Sequence, residues 1–385
     1  MPINHLQIQP QIAQYGRDAR FLHDQTESRL RTALDLLHMG GQGFPGNREK
    51  IIQKLESRPA SERCALPAEE AMDAAFDEPA DAGLYCALGA DGSQILPDPH
   101  EALSVALVNI SLIRYQPGSG QAPSVDIRSR FLRNADGRII MEPLPEEQVN
   151  LERDVSELEL LAAGLEGCAG PTVALRDGPL ELFHEPRQGK SFDAAFHSYL
   201  DAMRALGRGG AILAGYIDKP RADLVVSMLP FISRERDEID MGGLSDTRLF
   251  QELLLPGQRS AIFRLRSPSS AHYTDELELH FFYLNPGSAN KPWIARVEIP
   301  AWAARDGRQV NLLHRALLDQ CRLMGQRPYP YILHRAHEEA VVRLDDKEQL
   351  LTRLSFELQR QGLGISQPSH KLSAKKLTAR TRKAK

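Results

Sequence analysis

Two aspartates are set in surroundings that could do chemistry. Asp91, in Ala90-Asp91-Gly92-Ser93-Gln94, and Asp177, in Arg176-Asp177-Gly178-Pro179-Leu180, each follow an apolar run and precede a glycine. The runs are Leu84-Tyr85-Cys86-Ala87-Leu88 and Thr172-Val173-Ala174-Leu175. Both read as strands, so the pattern predicts two carboxylates where a buried strand opens into a turn. A carboxylate at the rim of a core is costly unless a cation faces it. Two such rims brought together would make a site for a divalent ion. Asp-Gly is also ordinary turn chemistry, so the case for metal depends on the elements that would bring the two together.

Residues 1–80 read as a helical N-terminal extension. Phe21, Leu22, Leu30, Ala33, Leu34 and Leu37 recur at helical spacing, and 67–82 reads as a surface helix followed by a linker. Strands at 84–90, 104–115 and 125–132 then form a meander, with Gln116-Pro117-Gly118-Ser119-Gly120 as a turn. A helix over about 146–165 carries Leu151, Val155, Leu158, Ala162 and Leu165 on one face. A strand at 172–175 delivers Asp177, a helix follows over 191–206, and a fifth strand lies at 211–217. This is the chain order of an α/β, ribonuclease-H-like mixed sheet flanked by helices. In that fold, acids on the first strand, the first helix and the end of the fourth strand meet at a metal site. A dinucleotide-binding domain would alternate strand and helix from its start and carry a glycine-rich turn after its first strand, which this sequence lacks.

An insertion over about 231–262 follows the fifth strand. Strands at 277–284 and 293–299 flank the turn Asn285-Pro286-Gly287, and helices are predicted over 310–324 and 347–361. The main domain is expected to run over 81–370. A basic stretch, 371–385, contains Lys371, Lys375, Lys376, Arg380, Arg382, Lys383 and Lys385 and reads as a disordered tail that adds salt-sensitive attraction to phosphate.

With 385 residues the chain can bury a full core without staples. Its four cysteines, Cys64, Cys86, Cys168 and Cys321, are far apart and make no Cys-x-x-Cys pair. That argues against a disulfide framework or a zinc knuckle and suits a reducing cytoplasm. The opening Met1-Pro2-Ile3-Asn4-His5 has no basic and apolar leader, and no run approaches the roughly 18 apolar residues of a membrane span, so a soluble cytoplasmic protein is expected. The net charge of −4 argues only weakly against nucleic acid as a partner.

The chain resembles the NurA nuclease family. The matching pieces are Asp91-Gly92-Ser93, Asp177-Gly178, Gly215-Tyr216-Ile217-Asp218-Lys219-Pro220-Arg221, Arg296-Val297-Glu298-Ile299-Pro300, and Tyr329-Pro330-Tyr331 leading to Ala336-His337. They span about residues 84–370, and five short pieces in the right order are specific where each alone is weak. The resemblance implies a ribonuclease-H-like core and a manganese-dependent nuclease acting on DNA ends and single strands, as single-strand endonuclease and 5′–3′ exonuclease. It further implies a role in DNA end resection and repair, a homodimer, and a hexameric HerA-type ATPase as partner.

Carried over position by position, the resemblance makes Asp91 and Asp177 metal ligands, with Tyr329 and His337 completing the site. The helix acid is Glu157, with Glu159 second and Asp154 also open, because Asp154-Val155-Ser156-Glu157-Leu158-Glu159 departs from the family's pattern. Asp91 would bridge two ions, Asp177 and Glu157 would each hold one, and His337 would be a further ligand or a proton shuttle. The mixed oxygen and nitrogen set favours Mn²⁺, with Mg²⁺ as the alternative. Lys219 and Arg221 are candidate phosphate contacts or salt-bridge partners, and Lys371, Lys375 and Lys376 are candidate DNA contacts. Two other readings stay open: a non-catalytic DNA-end platform or adaptor for the ATPase, and a hydrolase of RNA or RNA–DNA hybrid.

Overall fold

The structure is a computed structural model and describes residues 4–59, 61–80, 83–98, 101, 103–133, 137–140, 144–182, 190–233 and 239–363. The tail at 371–385, with Lys371, Lys375 and Lys376, lies outside the described residues. The strands are β1 Cys64–Pro67, β2 Ala75–Phe76, β3 Cys86–Ile95, β4 Leu107–Tyr115, β5 Ser124–Phe131, β6 Thr172–Asp177, β7 Ala211–Asp218, β8 Arg259–Ser260, β9 Phe263–Arg266, β10 Leu279–Leu284 and β11 Ala295–Pro300. The α-helices are α1 His5–Gln42, α2 Gly46–Glu56, α3 Glu146–Gly164, α4 Lys190–Arg208, α5 Leu224–Met228, α6 Asp246–Leu253, α7 Ala301–Ala304, α8 Gly307–Leu323, α9 Tyr331–Ala340 and α10 Leu344–Arg360. The architecture is the expected mixed sheet flanked by helices, and its elements group into two compact units.

One unit comprises the described residues of 83–177, 184–213 and 330–385. In it β4 lies between β3 and β5, antiparallel to both, while β6 runs parallel to β3 with Cys86 opposite Thr172 and Ala90 opposite Arg176. The apolar runs that read as strands supply its core: Leu88, Val108, Val173 and Ala174 are fully buried. The first strand is longer than expected. It continues from Ala90 to Ile95 because Asp91 to Ile95 keep pairing with Ser111 to Leu107. Asp91 therefore sits inside a strand, not at its end, and only Asp177 stands where a strand stops.

The other unit comprises the described residues of 1–82, 178–183 and 214–329. Its strands follow the order β1-β9-β10-β11-β7, with antiparallel pairing, and β10 and β11 are buried along their whole length. Within 1–80 the helices are α1 and α2, whereas the described residues of 67–80, read as a surface helix running into a linker, hold no helix. That stretch is tied to neighbouring strands instead. Glu70 accepts from Arg259 at 2.9 Å through both oxygens and from the Ile262 N–H at 2.8 Å, and β2 pairs with β8.

The cysteines also differ from expectation. Cys86 and Cys168, 82 residues apart, form a disulfide with their Cα atoms 5.7 Å apart, while Cys64 and Cys321 are buried thiols. The register that sets Cys86 beside Thr172 brings the two together, which sequence spacing does not show. Among the described residues no helix is long and apolar enough to cross a membrane.

Candidate functional site

Side chains alternate between the faces of a strand, and along β3 that alternation sorts the candidate acids. Gly89, Asp91 and Ser93 face α9: a Cβ at Gly89 would lie 2.9 Å from Ile332, and Ser93 donates to Ala340 O at 2.5 Å. Asn109 and Ser111 of β4 also donate to α9 carbonyls, Ala340 O at 2.7 Å and Ala336 O at 2.6 Å. These bonds satisfy acceptors in the last turns of α9 that have no helical partner or only one, and fix how the helix lies. The result is that His337 is set on Asp91, with Nδ1 2.7 Å from Oδ2, while the other Asp91 oxygen accepts from the Gly92 N–H at 2.8 Å. Asp91 is largely covered and the His337 ring is 64% exposed. Asp177 follows Arg176, the register partner of Ala90, so it is level with Asp91 and on the same face.

Glu157 belongs to the opposite face. Gly92 points that way, and a Cβ there would lie 2.6 Å from Ile110 Cδ1, 2.7 Å from Arg153 Cγ and 2.9 Å from Glu157 Oε1. Only a glycine lets α3 approach so closely. Arg176 reaches the same face and holds both inner acids of α3: Nε donates to Glu157 Oε2 at 2.9 Å, and a second nitrogen lies 2.5 Å from Asp154 Oδ1. Arg153 adds contacts to Asp154 at 3.1 Å and Glu157 at 3.4 Å. Burial pushes the Glu157 carboxyl up to about 8, against the pull of Arg176 and with Asp154 adding to the rise. Burial works against the charge of Arg176 too, but Asp154, Tyr199 and Glu157 outweigh it and raise its pKa further. Glu159, the second candidate, is exposed.

Tyr329 belongs to the other unit, where its ring meets that of Tyr216 edge-on with centroids 5.6 Å apart. The remaining motif residues there do structural work the sequence did not disclose. Glu298 is fully buried, accepts from the Leu180 and Glu181 N–H groups at 2.8 and 3.2 Å, and is paired with Arg296 at 2.9 Å. Gly215 passes so near the backbone that a Cβ would lie 2.6 Å from Gly178 O. Lys219 lies over the ring of Trp293, 3.7 Å from its centroid, and Arg221 is exposed.

Asp91, Asp177 and His337 share one face, and two carboxylates with an imidazole form a donor set suited to a divalent transition ion. Asp91 and His337 are its assembled part. Among the described residues no three His, Cys, Asp or Glu side chains are gathered closely enough to hold an ion, since Glu157 and Asp154 are turned to Arg176.

The family model described as the NurA domain matches residues 87–342. No curated protein matches significantly. Among solved structures, the chain is similar to the NurA nuclease from Sulfolobus solfataricus, with 14% identity and a TM-score of 0.48 over 72% of this chain and 85% of that one. It is also similar to the catalytic domain of human endonuclease V, with 16% identity and a TM-score of 0.34 over 80% of this chain and 95% of that one.

Proposed function

From the premise that this chain belongs to the NurA domain family, we propose that it is a nuclease hydrolysing the phosphodiester bonds of DNA. The observation that carries the reading is the 2.7 Å contact between Asp91 and His337, residues 246 positions apart. Hydrolysis needs an in-line water, a group to take its proton, and charge to offset what develops on the leaving oxygen. With its Nδ1–H donated to Asp91, His337 is held in one tautomer and presents Nε2 outward, where it can accept that proton. A divalent ion, Mn²⁺ before Mg²⁺, would be held by Asp91 and Asp177 and would supply the offsetting charge, with His337 a further ligand only in place of its role as proton acceptor. The resemblance would add Glu157, but its pairing with Arg176 on the opposite face keeps it out of this set. Lys219, Arg221, Lys371, Lys375 and Lys376 would contact DNA. The family resemblance further supports action on single strands and ends in DNA resection, as a homodimer working with a HerA-type ATPase.

The test is cleavage of end-labelled single- and double-stranded DNA with Mn²⁺, Mg²⁺ or EDTA. Metal-dependent cleavage that EDTA abolishes is expected. Binding without cleavage in every metal would make the chain an adaptor. Cleavage confined to substrates with a 2′-hydroxyl would make RNA the substrate.

A further inference from the structure

One aromatic side chain in the unit containing β7 and β11 is pinned at its edge and left open on its surface. Trp293 stands just before β11, where its backbone N–H donates to Asn285 Oδ1 at 3.1 Å and its indole Nε1–H to Asp218 Oδ1 at 2.6 Å. Asn285 is itself buried and donates to Leu254 O at 2.9 Å. Trp293 nonetheless remains half-buried. What meets its ring is positive charge, with Lys219 Nζ 3.7 Å and Lys291 Nζ 5.6 Å from the centroid.

Lys219 has φ of +46°, a backbone conformation that residues with side chains seldom adopt and keep only where the surroundings hold it. Arg221, exposed, follows two positions on. The carboxylate of Asp218, next to Lys219 in the chain, is bonded through one oxygen to the indole. Beside Lys291 opens a cleft of about 510 Å³ lined also by Gly257, Gly287, Ser288 and Arg322.

A fixed aromatic face bordered by cations suits a ligand with both an exposed π-face and regularly spaced negative charge. A single nucleic-acid strand offers both. A duplex hides its base faces, and an acidic peptide offers charge alone. An ammonium resting on an exposed ring is weakly held, so it can swing to a phosphate as a base takes its place. We propose that Trp293, with Lys219 and Lys291, is a stacking platform for single-stranded nucleic acid. The proposal rests on the nucleic-acid reading above but not on the hydrolytic chemistry, so binding and cleavage are measured apart.

The experiment is fluorescence anisotropy of a labelled single-stranded DNA oligonucleotide with the full chain in EDTA, repeated over a salt series and with the matching blunt duplex. Trp293→Ala is expected to weaken single-strand binding by about 5- to 150-fold, the range of one base–aromatic stack, with an unchanged salt slope and little change on duplex. Trp293→Phe, which keeps a ring, should retain much of the affinity. Lys219→Gln and Lys291→Gln should each flatten the salt slope by about 0.7 for a lost phosphate contact. Wild-type affinity in Trp293→Ala, or equal losses on single strand and duplex, would overturn the platform. Should Trp293→Ala fail to fold, an unchanged salt slope in the exposed Lys291→Gln variant would overturn it equally. A chain that cleaves DNA with metal but binds no single strand through Trp293 keeps the nuclease reading and loses the platform. Binding through Trp293 without cleavage does the reverse.

Discussion

Arg176 donates from Nε to Glu157 Oε2 at 2.9 Å, between side chains only 5% and 3% exposed. The strand residue just before Asp177 thus holds a helix acid on the face of the sheet opposite Asp91. Removing one partner of a buried ion pair leaves the other charge uncompensated, which costs about 3–5 kcal/mol. Arg176→Met should lower the free energy of unfolding in urea by that order, and adding Glu157→Gln should recover part of the loss. A simple sum of the two single effects would show that the pair is not coupled.

Asp91→Asn keeps the shape of the side chain and removes the charge that orients His337. Cleavage should fall by about two to four orders of magnitude, the usual worth of a placed general base, with the thermal midpoint little changed. His337→Gln should cost a similar factor, and the double variant no more than either alone, because the two act as a unit. Asp177→Ala should also abolish hydrolysis. Near-normal cleavage in any of these would place the chemistry elsewhere.

Gly215 and Gly92 make separable predictions about close approach. A Cβ at Gly215 meets backbone, 2.6 Å from Gly178 O and 3.0 Å from Leu180 N, whereas one at Gly92 meets side-chain atoms of Ile110, Arg153 and Glu157. Side chains can give and backbone cannot, so Gly215→Ala should lower the thermal midpoint more than Gly92→Ala. For Gly92→Ala a cost of about 1–3 kcal/mol is expected, as for overpacking elsewhere.

His314 is fully buried and its Nε2–H donates to Gly257 O at 2.7 Å. Burial lowers its pKa from 6.5 to about 4. Between those values the unfolded chain binds more protons than the folded one, so this contribution is present above pH 6.5 and is lost as pH falls towards 4. It amounts to about 3 kcal/mol. His314→Gln should therefore flatten the loss of stability on acidification, read from urea unfolding at a series of pH values. Asp246, whose carboxyl burial raises to about 6, works in the opposite sense, losing stability as pH rises through 6. It does so equally in both chains, so the difference between them isolates His314.

The strands carrying Asp91 and Asp177, helix α3 and the meander of β3 to β5 were legible in the sequence. Periods of two and 3.6 residues are local properties, set by which side chains must leave water. Where local pattern misled, a distant partner was the cause. The stretch 67–82 has helical composition, yet Glu70 binds Arg259, and β3 outruns its apolar run because β4 continues to pair with it. The face on which each acid stands was likewise beyond the sequence. Asp91 and Glu157 look alike as acids in apolar surroundings, but a one-residue change along a strand reverses its direction. The register of β3 against β4 and β6 therefore decides that Asp91 meets His337 while Glu157 meets Arg176. Contacts between residues so far apart in the chain leave no local period to read, and only the packed sheet and its two flanking helices bring them into reach.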